Sequence, residues 1–169
     1  MDGGATLRGV FGSWSGNQLS PRMMPELRHV ATDADWAAYH AIRRRVLFEL
    51  RGIAGYDENH PDDRRSGHHP FLLWDAGTPI GTIRVDIDRE CAIFRRVAIR
   101  EDLQRRGHGR QLLQAAEDFA RRQHCTRVES HVDPGAVGFY ERCGYSFANP
   151  AGAGRAPLMF KTLASDRAE

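Results

Sequence analysis

"VAIREDLQRRGHGRQLLQAAEDFA", residues 97–120, decides how this chain folds. It begins as the end of an apolar strand and finishes as an amphipathic helix, in which Leu112, Leu113, Ala116, Phe119 and Ala120 recur at helical spacing. Between the two lies a turn containing Gly107, His108 and Gly109, crowded by Arg105, Arg106 and Arg110. A strand, a glycine turn and a helix in succession gather free backbone N–H groups at one point. The helix dipole adds partial positive charge there, which makes a phosphate site. The glycines let a ligand approach the backbone without a Cβ in the way.

Two nucleotide readings fail. A Walker loop needs Lys-Ser or Lys-Thr after its last glycine, and Arg110-Gln111 follows here. A dinucleotide fingerprint needs a third glycine where Leu112 stands, within a parallel strand–helix–strand unit. The strands upstream predict an antiparallel meander instead. "FLLWD" (71–75), "IGTIRVDID" (80–88) and "AIFRRVAI" (92–99) are joined by the short turns "AGTP" and "REC". In the second of them Ile83, Val85 and Ile87 share one face and Arg84, Asp86 and Asp88 the other.

Further out, "ELRHVAT" (26–32) reads as a strand, and Thr32 or Asp33 as the cap of a helix over 33–51. Trp36, Tyr39, Ile42 or Arg43, Val46 and Leu50 form its apolar face, and Arg43–Arg45 read as a solvated face. "GIAGYDENHPDDRRSGHHP" (52–70) is a polar loop, long enough to suggest function. Downstream, "TRVESHV" (126–132) is a strand and "PGAVGFYERC" (134–143) a short helix. "GYSF" and "PLMFKTL" are final strands separated by "ANPAGAGRA". The expected order is strand, helix, three strands, helix, strand, helix, two strands. Residues 1–25 read as a mobile tail, with Met24 a candidate start, 26–163 as a single domain and 164–169 as a C-terminal tail.

Composition narrows the class. Hydrophobic residues make up 41% and charged residues 27% of 169 residues, as in one globular domain. No apolar run approaches the ~20 residues that cross a bilayer, so no membrane partner is expected. A net charge of +2 gives no broad basic surface, so no nucleic-acid partner is expected either. Three cysteines without C-x-x-C spacing argue against a disulfide framework or zinc knuckle, and a reduced, cytoplasmic setting is the expectation.

The stretch 97–120, taken with "VDPGAVGFYERCGYSF" (132–147), resembles the GNAT superfamily of N-acetyltransferases. The first family pattern falls on Gln104, Gly107 and Gly109 after a strand ending at Val97–Ile99. The second falls on Asp133, Ala136, Phe139, Tyr140, Gly144 and Tyr145, with Asp133 replacing the usual Asn. The early half, with "VLFELRG" and an Asp/His loop, looks similar to ElaA-type members. The resemblance implies an α/β (mixed α+β) fold. Its mostly antiparallel sheet of about seven strands is flanked by helices and splays between the parallel strands on either side of the 107–123 helix.

It also implies acetyl-CoA as acyl donor and an amine as acceptor, with homodimers common in the family. The pyrophosphate is expected on Gln104, Arg105, Arg106, Gly107, His108, Gly109 and Arg110, and the pantetheine along Val97, Ala98 and Ile99. Asp133, Ala136, Phe139 and Tyr140 complete the cofactor set. Direct attack of an amine on the thioester needs a neutral amine, an oxyanion donor and help for the departing thiolate. The resemblance assigns the donor to the Val97 N–H and the thiolate partner to Tyr140. The base stays open among Glu129, His131 and Asp86, since "AIFRRVAI" carries no carboxylate.

His60, Asp62, Asp63, His68 and His69 invite a metal, but their spacing fits no metal loop; no metal is expected, and the loop reads as acceptor-facing. Cys143 reads as a helix-end residue. The expected activity is N-acetylation of a small primary amine. The alternatives are an acyl-CoA-binding regulatory module and an acetyltransferase of protein or aminoacyl-tRNA amines.

Overall fold

Residues 24–149 and 156–164 are described by the computed structural model. Most of the expected N-terminal tail, all but the first residue of the C-terminal one and most of the 148–156 connection lie outside them.

Capping starts the first helix. The Thr32 side chain accepts from the Asp35 N–H, and the Asp35 carboxylate accepts from the Thr32 N–H, a reciprocal capping box. Helix α1 (Asp33–Leu47) follows strand β1 (Glu26–His29). Strands β2 (His68–Asp75), β3 (Thr78–Asp88) and β4 (Cys91–Ile99) form the antiparallel meander, and β1 pairs with β2. Gly107 then caps helix α2 (His108–Arg122), which leads to β5 (Arg127–His131), helix α3 (Val137–Arg142), β6 (Ser146–Phe147) and β7 (Leu158–Thr162). The sheet order is β1-β2-β3-β4-β5-β7-β6, with seven strands. Only the β4–β5 pair is parallel.

Helices cover both faces of the sheet. Tyr39 and Ile42 of α1 pack with Leu72 and Ala98 on one side. On the other, the α2 stripe Leu112, Leu113, Ala116, Phe119 and Ala120 is buried against Phe71, Ile83, Val85 and Phe94. Burial of that stripe, rather than propensity, holds a helix of this length. Gly109 lets the start of α2 sit on α3, because a Cβ there would come within 3.1 Å of the Phe139 ring.

Four local expectations are corrected. The 52–70 loop ends earlier, because β2 begins at His68 and extends the strand expected from 71. The first hairpin turn is the two-residue Ala76-Gly77, both with positive φ, and Pro79 lies within β3. Such a turn matches the twist of adjoining strands. Leu50 is exposed, because α1 ends at Leu47 and a 3-10 turn over Glu49–Arg51 rotates it off the apolar face. The Arg43–Arg45 run is not a uniformly solvated face. Arg43 is 4% exposed and donates to Asp63 at 2.6 Å, whereas Arg44 pairs with Glu58 and Arg45 with Glu101 at the surface. The polar face of β3 turns inward too. Arg84 and Asp86 are buried, with Arg84 Nε on Asp86 at 2.8 Å and Arg84 Nη1 on Asp63 at 3.1 Å.

Candidate active site

Strands β4 and β5 pair from Cys91↔Arg127 to Phe94↔Ser130 and then separate, while β4 runs on to Ile99. The β3–β4 register shifts at the same level, between Thr82 and Arg84. Arg96 takes a left-handed φ of 56°, so the strand bulges there. The edge of β4 over Val97–Ile99 therefore faces a gap rather than a strand, which suits an extended ligand adding itself as one. A cavity of about 350 Å³ occupies the gap, with Val97, Ser130, His131, Asp133, Ala136 and Tyr140 in its lining.

Tyr140 is buried at the floor of this cavity, edge-on to Phe139 and Tyr145. Burial pushes its phenol up to about 12, and the neighbouring Ser130 hydroxyl offsets this in part. Ser130 in turn donates to the Phe94 carbonyl at 3.1 Å. A phenol that stays protonated this far above neutrality is a hydrogen-bond donor throughout the physiological range.

The glycine turn carries the features of a diphosphate cradle. Gly107 has φ 88° and offers open space where a Cβ would project. No side chain caps α2, its first turn holds no acid, and its first backbone bond runs from the Gln111 N–H to Gly107 O. The N–H groups of His108, Gly109 and Arg110 are thus left for an anion. Arg105 (φ 59°) and Arg106 stand beside them, exposed and without an ionic partner among the described residues. The other side chains do structural tasks. Gln104 Nε2 donates to Ile99 O at 3.0 Å, Arg110 Nη2 donates to the Arg142 carbonyl at 3.1 Å, and His108 Nδ1 bonds Gln111 Oε1 at 3.1 Å. Asp133 accepts from the Gly135 N–H at 2.9 Å and pairs with Arg51 across the cavity mouth. The substitution of Asn by Asp at this position is thereby matched by a cation.

A second chamber, of about 920 Å³, lies on the α1 side of the sheet. The 52–67 loop supplies Tyr56, Asp57, His60 and Asp62 to it, and β3 supplies Arg84, Asp86 and Asp88. Phe48, Arg96 and His131 line both cavities, so the two adjoin at these residues. Of the proposed bases, His131 stands at this junction. Glu129 shares its strand but lines neither cavity and is held by Arg127 Nε at 2.7 Å. Asp86 lines the chamber, yet Arg84 and Arg95 already occupy its carboxylate.

The Asp/His cluster separates in space. Asp63 turns under the chamber, His69 packs across the sheet against Phe119, and His68 stays beside Asp86. No group of three His, Cys, Asp or Glu among the described residues is arranged to hold a metal. Burial pushes the Cys143 thiol up, which does not suit a nucleophile.

Three site residues escape a reading of the sequence alone. Ser130 left a signal, as the one polar residue on the buried phase of Val128, Ser130 and Val132. Arg96 shows only as one of a basic pair with Arg95, and the bulge that re-aims it left no signal. Arg51 reaches Asp133 from 82 positions away.

Residues 36–145 match the acetyltransferase (GNAT) family. A solved protein of Lactobacillus plantarum, assigned to the N-acetyltransferases, is 33% identical with a TM-score of 0.70, over 84% of this chain and all of that one. Escherichia coli ElaA is 18% identical with a TM-score of 0.70, over 82% of this chain and 99% of that one. The PaiA N-acetyltransferase of Thermoplasma acidophilum, solved with coenzyme A, is 18% identical with a TM-score of 0.69, over 83% of this chain and all of that one. The last two similarities speak to the fold.

Proposed function

Because the chain belongs to the acetyltransferase (GNAT) family, whose members are acyl-CoA-dependent N-acetyltransferases, we propose that it transfers an acetyl group from acetyl-CoA to the primary amine of a small molecule, both substrates being bound together. The observation that carries this reading is the junction of the two cavities. The gap between β4 and β5, with Val97 and Tyr140, adjoins a separate charged chamber at Arg96 and His131.

In this reading the diphosphate of acetyl-CoA rests on the N–H groups of His108, Gly109 and Arg110, with Arg105 and Arg106 as counter-charges. The pantetheine follows the Val97–Ile99 edge and brings the thioester to Tyr140. The amine enters through the chamber, where Asp57, Asp62 and Asp88 favour a cation. His131 takes the ammonium proton and frees the nitrogen lone pair, which attacks the carbonyl carbon. The C–N bond forms, the Val97 N–H stabilises the oxygen as it gains charge, and the C–S bond breaks with its electron pair on sulfur. The second amine proton leaves as the amide forms and neutralises the thiolate directly or through water.

Tyr140 acts on the leaving sulfur by hydrogen bonding. A phenol near 12 lies well above a thiol near 8.5, so full proton transfer from it would be uphill by roughly 4–5 kcal/mol. A donated hydrogen bond to the developing thiolate has no such penalty.

The test is amine-dependent release of CoA thiol across a panel of small primary amines, with the product identified by its mass gain of one acetyl group. Release with at least one amine is the expected result. Silence across the panel, with acetyl-CoA binding confirmed by calorimetry, would overturn the small-amine reading and direct the search to macromolecular acceptors or a binding role.

A further inference from the structure

The acceptor chamber holds many charges, and most are already matched. Arg43 bonds Asp63, Arg84 bonds Asp63 and Asp86, and Arg95 bonds Asp86. Asp62 lies near Arg84 and His60, Asp57 accepts from the Asn59 N–H, and Asp88 sits at the far end of the β3–β4 hairpin, opposite Cys91. Arg96 differs from all of these. It is the one arginine that lines both cavities and, like Arg65 in the chamber, it has no ionic partner among the described residues.

The backbone brings it there. Arg96 sits at the bulge of β4, where the register with β3 shifts, and its φ of 56° is left-handed. A residue with a side chain is disfavoured in that conformation relative to glycine. The guanidinium lies 5.7 Å from the Phe48 ring centroid, an aromatic wall that supports a cation. Burial and the neighbouring Arg43 and Arg84 push its pKa down, and the attraction of Asp63 is a smaller effect. An arginine held among other arginines, open to a cavity and lacking an acid, is a place where an anion binds.

We propose that Arg96 recognises an oxyanion on the acceptor, so that the substrate is an amine carrying a carboxylate or phospho group a few bonds from its nitrogen. This rests on the acetyl-transfer reading of the same site. The position at the junction explains the short separation: an anion on Arg96 leaves the adjacent amine beside His131 and in line with the gap that takes the thioester. The forked guanidinium matches a carboxylate most directly, as in an amino acid. The acids of the outer chamber then steer the ammonium end inward rather than binding the reacting nitrogen.

Matched acceptors test the proposal on the full chain with saturating acetyl-CoA. The set comprises amino acids, the amines they yield on decarboxylation, their carboxamides and the corresponding aminoalkylphosphonates. The expected result is a kcat/KM for the anionic member roughly 10–100-fold above its amine and carboxamide, expressed mainly in KM. Arg96→Gln should collapse that ratio toward one, and Arg96→Lys should restore part of it. A phosphonate preferred over the carboxylate would support the oxyanion site and identify the phospho group as its natural occupant. Equal or better turnover of the uncharged partners by the wild-type chain would overturn the inference and leave acetyl transfer standing, as would an unchanged ratio in Arg96→Gln. Silence with every amine would overturn the underlying reading as well.

Discussion

Arg43 and Asp63 form an ion pair at 2.6 Å with side-chain exposures of only 4% and 2%. The pair joins α1 to the loop before β2, and the other Asp63 oxygen accepts from Arg84 on β3 at 3.1 Å. One carboxylate therefore ties three parts of the chain together beneath the charged chamber. The charge is buried because it is matched, and removing one partner leaves the others stranded.

Asp63→Ala should accordingly be among the most damaging single changes outside the apolar core. It leaves Arg43 and Arg84 buried with one acid fewer, and an expected loss of about 3–5 kcal/mol follows. Urea unfolding monitored by tryptophan fluorescence measures it. A loss under about 1 kcal/mol would mean that water already screens the network.

A second buried carboxylate, Glu117 on α2, accepts from the Tyr145 hydroxyl at 3.0 Å and from Lys161, the chain's single lysine, at 2.7 Å. Tyr145→Phe removes one charge-assisted bond and should cost about 1.5–3 kcal/mol. Lys161→Met should cost at least as much. A double-mutant cycle in denaturant should show that the two losses are not additive, because both end on the same carboxylate.

Tyr140→Phe should lower kcat roughly 10–100-fold with little change in acetyl-CoA affinity. Because burial pushes the phenol up to about 12, it remains protonated across the accessible range. The wild-type rate should therefore show no alkaline fall due to this group below about pH 10. Wild-type turnover in the variant would reject the role on sulfur.

His40 gives a pH dependence of stability. It is buried, its Nδ1 lies 2.7 Å from the Tyr56 hydroxyl, and burial followed by Arg43 pushes its pKa below the ordinary value of 6.5. The unfolded chain takes up this proton first, so the contribution is fully present above about 6.5 and is lost as pH falls through the folded-state value. His40→Gln keeps a polar partner for Tyr56 but does not titrate. The fall in Tm between about pH 7.5 and 5 should be smaller in the variant than in the wild type.

Gly107→Trp should weaken acetyl-CoA binding by at least about tenfold while the chain still folds. The left-handed backbone there strains any side chain, and the indole would enter the open space above the α2 amides. Unchanged affinity by calorimetry would remove the diphosphate assignment.

The order of elements was readable because each rests on local periodicity. The alternation of β3 and the stripe of α2 are set by near neighbours in sequence, and both survive in the structure. Charge was the weaker guide. Arg43 reads as solvated beside Arg44 and Arg45, and only its pairing with Asp63, 20 positions away, turns it inward. The alternation of β3 puts Arg84 and Asp86 on one face without saying whether that face is buried: a pattern records polarity, and burial depends on the partner. The glycine turn and Tyr140 were legible from family spacing. The junction was not, since a left-handed Arg96 and the separation of β4 from β5 are consequences of register across strands.

A crystal structure with bound CoA would show the path of the cofactor itself. The diphosphate is expected on the N–H groups of His108, Gly109 and Arg110, the pantetheine along Val97–Ile99, and the sulfur within hydrogen-bonding distance of the Tyr140 hydroxyl, facing the Arg96–His131 junction. A diphosphate bound away from the turn, or a sulfur outside the gap between β4 and β5, would contradict that path.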